Sequence, residues 1–206
     1  MTEEEFEQYL VLGYESRSHE FKAPGPRSDK WLFGRVLRAM MGMANMRDGG
    51  LVILGVAENR KTPEPVGLSK SDLKTWNFDD LAAGVAPYAA PNIRFDREVA
   101  TYNNRSFLVL RIHEFEDVPI ICRKELQVPN SVTGKNEVIL KIGGLYVRSR
   151  SKPETVPVST EADMRDVIEL ATDKEVVRFI RRTSRLGFTA PNQDRERFDI
   201  ELGDFR

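Results

Sequence analysis

Residues 51–56 read LVILGV, six positions without a polar side chain, entered through Asp48-Gly49-Gly50. A strand with one wet face alternates polar and apolar residues. A continuous apolar run is the mark of a strand buried on both faces. Just upstream, SDKWLFGRVLRAMMGMANM places Leu32, Phe33, Val36, Leu37, Met40, Met41 and Ala44 on one broad helical face. Ser28 or Asp29 can cap that helix, and Lys30, Arg35 and Arg38 lie mostly off its apolar face. The methionines read as core filler.

The remaining segments attach to this helix–strand pair. Residues 2–12 fit a short helix carrying Phe6, Leu10 and Val11, closed by Gly13. SHEFKAP alternates, with Phe21 on one side and Glu20 and Lys22 on the other. ENRKTPEPVGLSKSD reads as a polar loop, and residues 78–87 as a short helix. NIRFDREVATYNNRSFLVLRIHEF is a hairpin turning at Asn103-Asn104, two residues that tolerate left-handed angles. VPIICR and EVILKIGGLYVRS supply further strands, with ELQVPNSVTGKN as a long exposed loop between them. Thr160 with Asp163, and Thr172 with Glu175, each fit a capping box and predict two successive helices. Residues 187–206 are polar and predict a partly disordered terminus. A buried strand followed by hairpins and helices gives an α+β fold, with a mixed, largely antiparallel sheet packed with helices and a C-terminal helical extension.

Composition narrows the function classes. With 206 residues, 40% hydrophobic and 31% charged, the chain suits one soluble globular domain. Nothing approaches the roughly 18 apolar residues of a membrane span, and MTEEEFEQYL lacks a signal pattern, so a cytoplasmic location is expected. Cys122 is the only cysteine, which excludes a disulfide framework and a cysteine-based zinc site within the chain. His19 and His113 are the only histidines, too few to support a His-rich metal site or a Ser-His-Asp triad. The net charge of −1 gives no global pull toward nucleic acid, so any such role rests on local patches.

Three constellations can carry chemistry. Glu20 and Glu58 can meet at one edge of the sheet if their strands are neighbours, and Glu15 would have to fold back across a bend. Clustered carboxylates need a compensating cation, and oxygen ligands suit Mg²⁺ or Mn²⁺. Lys22 can then stabilise charge on a phosphate. Alternatively these glutamates are solvated surface groups. The Asp48-Gly49-Gly50 turn beside Arg47 is either a tight helix-to-strand connection or a phosphate-binding nest. No Walker sequence occurs. Finally, YVRSRSK sets Tyr146, Arg148, Arg150 and Lys152 on one strand face, joined by Arg123 and Lys124 as candidate nucleic-acid contacts. Arg178, Arg181, Arg182 and Arg185 form a denser patch near the C-terminus, suited to nucleic acid or an acidic partner.

The blocks ESRSHEFK, AMMGMANMRDGGLVILGV, PVGLS and GGLYVRSRSKPETVPVS, in that order, resemble the Schlafen AlbA-type domain over residues 15–160. That leaves residues 1–14 as a helical arm and 161–206 as a helical extension. The resemblance implies an α+β fold that binds RNA, such as tRNA, or DNA. It also implies a divalent-metal-dependent endoribonuclease whose three acids map onto Glu15, Glu20 and Glu58. Relatives often carry adjacent acids after the GV element, where this chain has Ala57 and then Glu58. The alternatives are a non-catalytic nucleic-acid-binding or nucleotide-sensing regulatory module, as in antiviral defence, and an assembly module docking a partner through its C-terminal helices. A lobe of this size also predicts a homodimer.

Overall fold

The computed structural model describes residues 2–11, 16–59, 62–129, 134–150, 152 and 154–186. The elements run α1 (Glu3–Val11), β1 (His19–Lys22), α2 (Lys30–Ala44), β2 (Gly50–Leu54), β3 (Val56–Asn59), β4 (Thr62–Pro65), α3 (Lys70–Thr75) and α4 (Phe78–Val85). They continue with β5 (Ala89–Ala90), β6 (Phe95–Tyr102), β7 (Arg105–Ile112), β8 (Ile121–Cys122), β9 (Leu126–Pro129), β10 (Asn136–Leu140), β11 (Tyr146–Arg148), β12 (Thr155–Pro157) and α5 (Glu161–Arg185). The fold is α+β, as the order of patterns predicts.

The central sheet has the order β1-β2-β7-β6. β1 runs parallel to β2, and α2 connects them; the other two pairings are antiparallel. Residues 51–54 of the LVILGV run lie in the middle of this sheet, covered on both sides; Gly55 then turns the chain with φ of +106°, and Val56 begins β3, which pairs with β4 in a separate two-stranded sheet. Val52 and Leu54 face α2, with Leu108, Leu110 and Ile112 beside them. Leu51 and Ile53 face the opposite way, with Phe21, Phe107 and Val109. Phe6 of α1 closes that second face, its ring centroid 4.7 Å from that of Phe107. Burying one side chain of this size stabilises by about 1.5–3 kcal/mol. The N-terminal helix is thus part of the body and no separate arm.

Helix α2 starts where Asp29 caps it, accepting from the amides of Trp31 and Leu32. It ends at Asn45, a side chain only 2% exposed. The Asn45 amide group donates to Ile120 O at 2.8 Å and Tyr146 O at 2.9 Å, and its oxygen accepts from Ile120 N at 2.7 Å. This one residue ties the end of α2 to β11. Met40, Met41 and Met43 are fully buried, as core filler should be. The hairpin turns at Asn103 and Asn104 with φ of +48° and +59°. Cys122 is buried against this body, and burial pushes its thiol pKa up.

Three segments differ from the sequence reading. The supposed loop 125–136 contains β9, whose Leu126 and Val128 point inward and pair with β10. The polar stretch after β3 contains β4 and α3. The two expected C-terminal helices are one, Glu161–Arg185. Thr160 does cap it, accepting from Asp163 N at 3.1 Å. Thr172 and Glu175 lie inside a continuous helix, where no orphan amide needs a cap. Contacts divide the chain into two units, Met1–Ala171 and Thr172–Arg206. In the first, Val167 and Leu170 of α5 are buried; in the second, Val176, Val177, Phe179 and Ile180 are exposed. The expected disordered terminus, 187–206, lies outside the described residues.

Candidate nucleic-acid interface

The alternation of β1 sends Phe21 into one core and Glu20 and Lys22 to the other side of the strand. There Glu20 is only 7% exposed, Lys22 3% and Arg148 0%. One Glu20 oxygen pairs with Lys22 Nζ, the other with Arg148 Nη1. The Thr155 hydroxyl donates to that second oxygen at 3.1 Å. Lys22 also donates to Phe21 O at 2.8 Å. Arg148 spreads its remaining donors over Ser16 O (2.7 Å), Arg17 O (3.3 Å) and His19 O (3.4 Å). A buried carboxylate needs such partners, because an unpaired charge in low dielectric is costly. The network braces β1 against β11 and β12.

This geometry corrects the expected basic stripe. Tyr146 and Arg148 do share a face, but that face points inward. Tyr146 is 4% exposed, and its hydroxyl accepts from Lys141 N at 2.7 Å, so it offers no stacking platform. Desolvation pushes its hydroxyl pKa up. Its ring lies under Arg38, 5.4 Å from the guanidinium carbon. Arg148 is an internal brace. Arg150 and Lys152 are exposed. Arg123 and Lys124 are exposed as well, Lys124 sitting 5.4 Å from the Tyr88 ring centroid.

The acid set is only partly within view. Glu15, and the side chain of Glu58, lie outside the described residues. Among the described residues no group of three His, Cys, Asp or Glu could hold a metal ion. Glu20 itself has both oxygens engaged by cations. The described residues therefore do not fit a divalent ion, and no chemical step follows from one. The Asp48-Gly49-Gly50 turn is a tight connection: Asp48 N donates to Glu114 Oε2 at 2.8 Å and Gly49 N to Met46 O at 3.1 Å. Neither amide is left for a phosphate.

What the structure does assemble is a cleft of about 760 Å³ beside that turn. Arg17, Arg47 and Arg111 line it, with His113, Tyr9 and a single acid, Asp48. Arg17 precedes β1, Arg47 follows α2, and Arg111 projects outward from β7, so neighbouring elements of the sheet bring them together. Arg17 and Arg47 also line a second cavity of about 240 Å³, shared with Arg150, Asp163, Asp166 and Glu169. Arg123 and Lys124 line neither. Sequence reasoning missed Arg17, Arg111 and Asp166. Arg111 had a signal, a lone cation in the apolar run FLVLRI. Arg17 and Asp166 had none.

An α+β domain built on a β-α-β crossover, with an arginine-lined cleft at the turn between helix and strand, is the class this fold and site define. The family model described as Schlafen, AlbA_2 matches residues 15–156, and the chain belongs to that family. None of the curated proteins matches it. Among solved structures, the DIP2311 protein from Corynebacterium diphtheriae is 15% identical with a TM-score of 0.47, over 75% of this chain and 29% of that one. The N-terminal domain of an ATP-dependent DNA helicase RecG-related protein from Nitrosomonas europaea is 23% identical with a TM-score of 0.47, over 66% of this chain and 88% of that one. No helix among the described residues is long and apolar enough to cross a membrane.

Proposed function

We propose that this Schlafen AlbA_2 chain is a nucleic-acid-binding module that holds a phosphate backbone in the arginine-lined cleft. The observation that supports it is the lining of that cleft, where Arg17, Arg47 and Arg111 gather beside one aspartate, with Asp166 paired to Arg17 from the adjoining cavity. In a chain of net charge −1 such local segregation is what attracts a polyanion. Guanidinium groups suit phosphate because their fork can donate two parallel hydrogen bonds. Arg150 and Lys152 extend the exposed positive surface. The test is fluorescence anisotropy with a labelled tRNA and a duplex DNA at several salt concentrations. Binding that weakens linearly in log–log salt is expected. Affinity absent at low salt for both ligands overturns the reading.

A second reading draws on the family and is finer: a divalent-metal-dependent endoribonuclease acting on structured RNA. Glu15, Glu20 and Glu58 would hold Mg²⁺ or Mn²⁺, with Lys22 beside the phosphate. It requires Glu20 to leave Lys22 and Arg148, and this is why the geometry favours binding over cleavage. Incubating labelled tRNA with and without Mn²⁺ separates the two. Cleavage that appears with Mn²⁺ and vanishes in Glu20→Gln, while circular dichroism shows that variant still folded, establishes the nuclease.

Assembly as a homodimer belongs to the same proposal. The first turns of α5 expose Glu161 and Glu169, and the last carry Arg178, Arg181, Arg182 and Arg185. An antiparallel second copy of this helix would set acidic against basic ends and cover Val176, Phe179 and Ile180.

A further inference from the structure

The smaller cavity holds an arrangement that the cleft alone does not explain. Arg150 grips the Asp166 carboxylate with two donors, Nη2 to Oδ1 and Nε to Oδ2, the latter at 3.1 Å. Arg17 Nη2 reaches the same Oδ2 at 3.2 Å. Two guanidinium groups converging on one oxyanion, one of them through its fork, is also the geometry that receives a phosphate. The three side chains remain 41%, 54% and 28% exposed for Arg17, Arg150 and Asp166, so the pair is accessible and screened by solvent. Asp163 and Glu169 line the same cavity, which gathers three carboxylates of α5 against arginines from elsewhere in the fold.

We propose that Arg17 and Arg150 form a phosphate clamp that Asp166 occupies, so that the start of α5 competes with nucleic acid for it. This rests on the nucleic-acid reading above. Arg17 also lines the larger cleft, so a backbone held by Arg47 and Arg111 runs toward the clamp. A phosphate arriving there exchanges one oxyanion for another. Asp166 then loses its partners, and the chain's affinity is lower than its arginines alone would give. The arginines already hold the Asp166 carboxyl below the ordinary carboxylate range, so the competitor stays charged at neutral pH.

The experiment compares unaltered protein, Asp166→Asn and Glu161→Gln for binding a labelled single-stranded RNA across a salt series. Glu161 lies on the same helix, paired with Arg165 and away from the clamp, so its variant controls for loss of one negative charge. Asp166→Asn is expected to bind about 3- to 10-fold tighter, with a log–log salt slope steeper by about 0.7 for each phosphate newly engaged. Arg150→Ala in the Asp166→Asn background must abolish that gain. An equal gain from Glu161→Gln reduces the effect to bulk charge and overturns the clamp. If the unaltered protein binds and Asp166→Asn binds no tighter, the clamp falls while the binding reading stands. If neither binds, both fall. Should Asp166→Asn not fold, the arginine Nε–H resonances of the unaltered protein decide: RNA must shift those of Arg17 and Arg150, and shifts confined to other arginines overturn the proposal.

Discussion

Glu20 and Arg148, 128 residues apart in the chain, form an ion pair whose two side chains are 9% and 0% exposed. It closes the body across β1, β11 and β12, and it fixes what these residues are available to do. A carboxylate held by two cations is a poor free ligand, and an arginine with every donor engaged is a poor phosphate contact.

Arg148→Ala therefore acts on stability before it acts on binding. Removing one partner of a buried pair costs about 3–5 kcal/mol, because the other charge is left uncompensated. Chemical denaturation is expected to show that loss in Arg148→Ala, and a loss of similar order in Glu20→Gln. A midpoint within error of the unaltered protein would show that water reaches the pair.

Arg111→Ala is the opposite case. Arg111 is exposed on β7 and lines the cleft. Its substitution is expected to change stability by less than about 0.5 kcal/mol. It should weaken nucleic-acid binding and lower the log–log salt slope by about 0.7–0.9, one phosphate contact. An unaltered slope places Arg111 outside the interface.

Acid should loosen the contact of Asp166 with its arginines. Its carboxyl pKa is lowered, chiefly by the hydrogen bonds of Arg150, and by Arg17 as well. A lowered folded-state pKa contributes stability that is fully present above the unfolded value, about 3.9, and is lost as pH falls through the folded value. The denaturation midpoint of the unaltered protein should exceed that of Asp166→Asn at neutral pH, and the two should converge on acidification below about pH 4. The gap is small and shrinks with salt, since the groups are partly exposed. A gap independent of pH would assign the effect to something other than this titration.

Gly49 admits no side chain. Its φ is +67°, and an added Cβ would lie 1.9 Å from Ile112 O. Left-handed strain alone costs on the order of 1 kcal/mol, and the backbone clash adds to it. Gly49→Ala is expected to lose about 3 kcal/mol or more, read by thermal melting. A melt unchanged within a degree or two would mean the turn relaxes freely.

Much of this fold was written locally. The run LVILGV has no polar position, so its burial on both faces needed no knowledge of its neighbours. Asn103 and Asn104 likewise carried the hairpin, because few other residue pairs accept positive φ twice. β9 was hidden: Leu126 and Val128 alternate correctly, but Pro129, Asn130 and Gly134 nearby gave a stronger loop signal. Thr172 and Glu175 had the residue types of a cap without the exposed amides that a cap serves. The site was harder. Nothing near Arg148 distinguishes a buried guanidinium from a solvated one; its partners at Ser16, His19 and Glu20 are set by topology. The cleft is made the same way, from arginines that stand 30 to 94 positions apart (Arg17, Arg47 and Arg111).

Cys122 turns the protein into its own stopwatch. It is the sole thiol, it is 0% exposed, and its raised pKa leaves it mostly protonated at neutral pH. An alkylating reagent can modify it only when β8 comes away from the body. The rate of that single modification thus times an opening event, with no engineered label and no second cysteine to blur the trace.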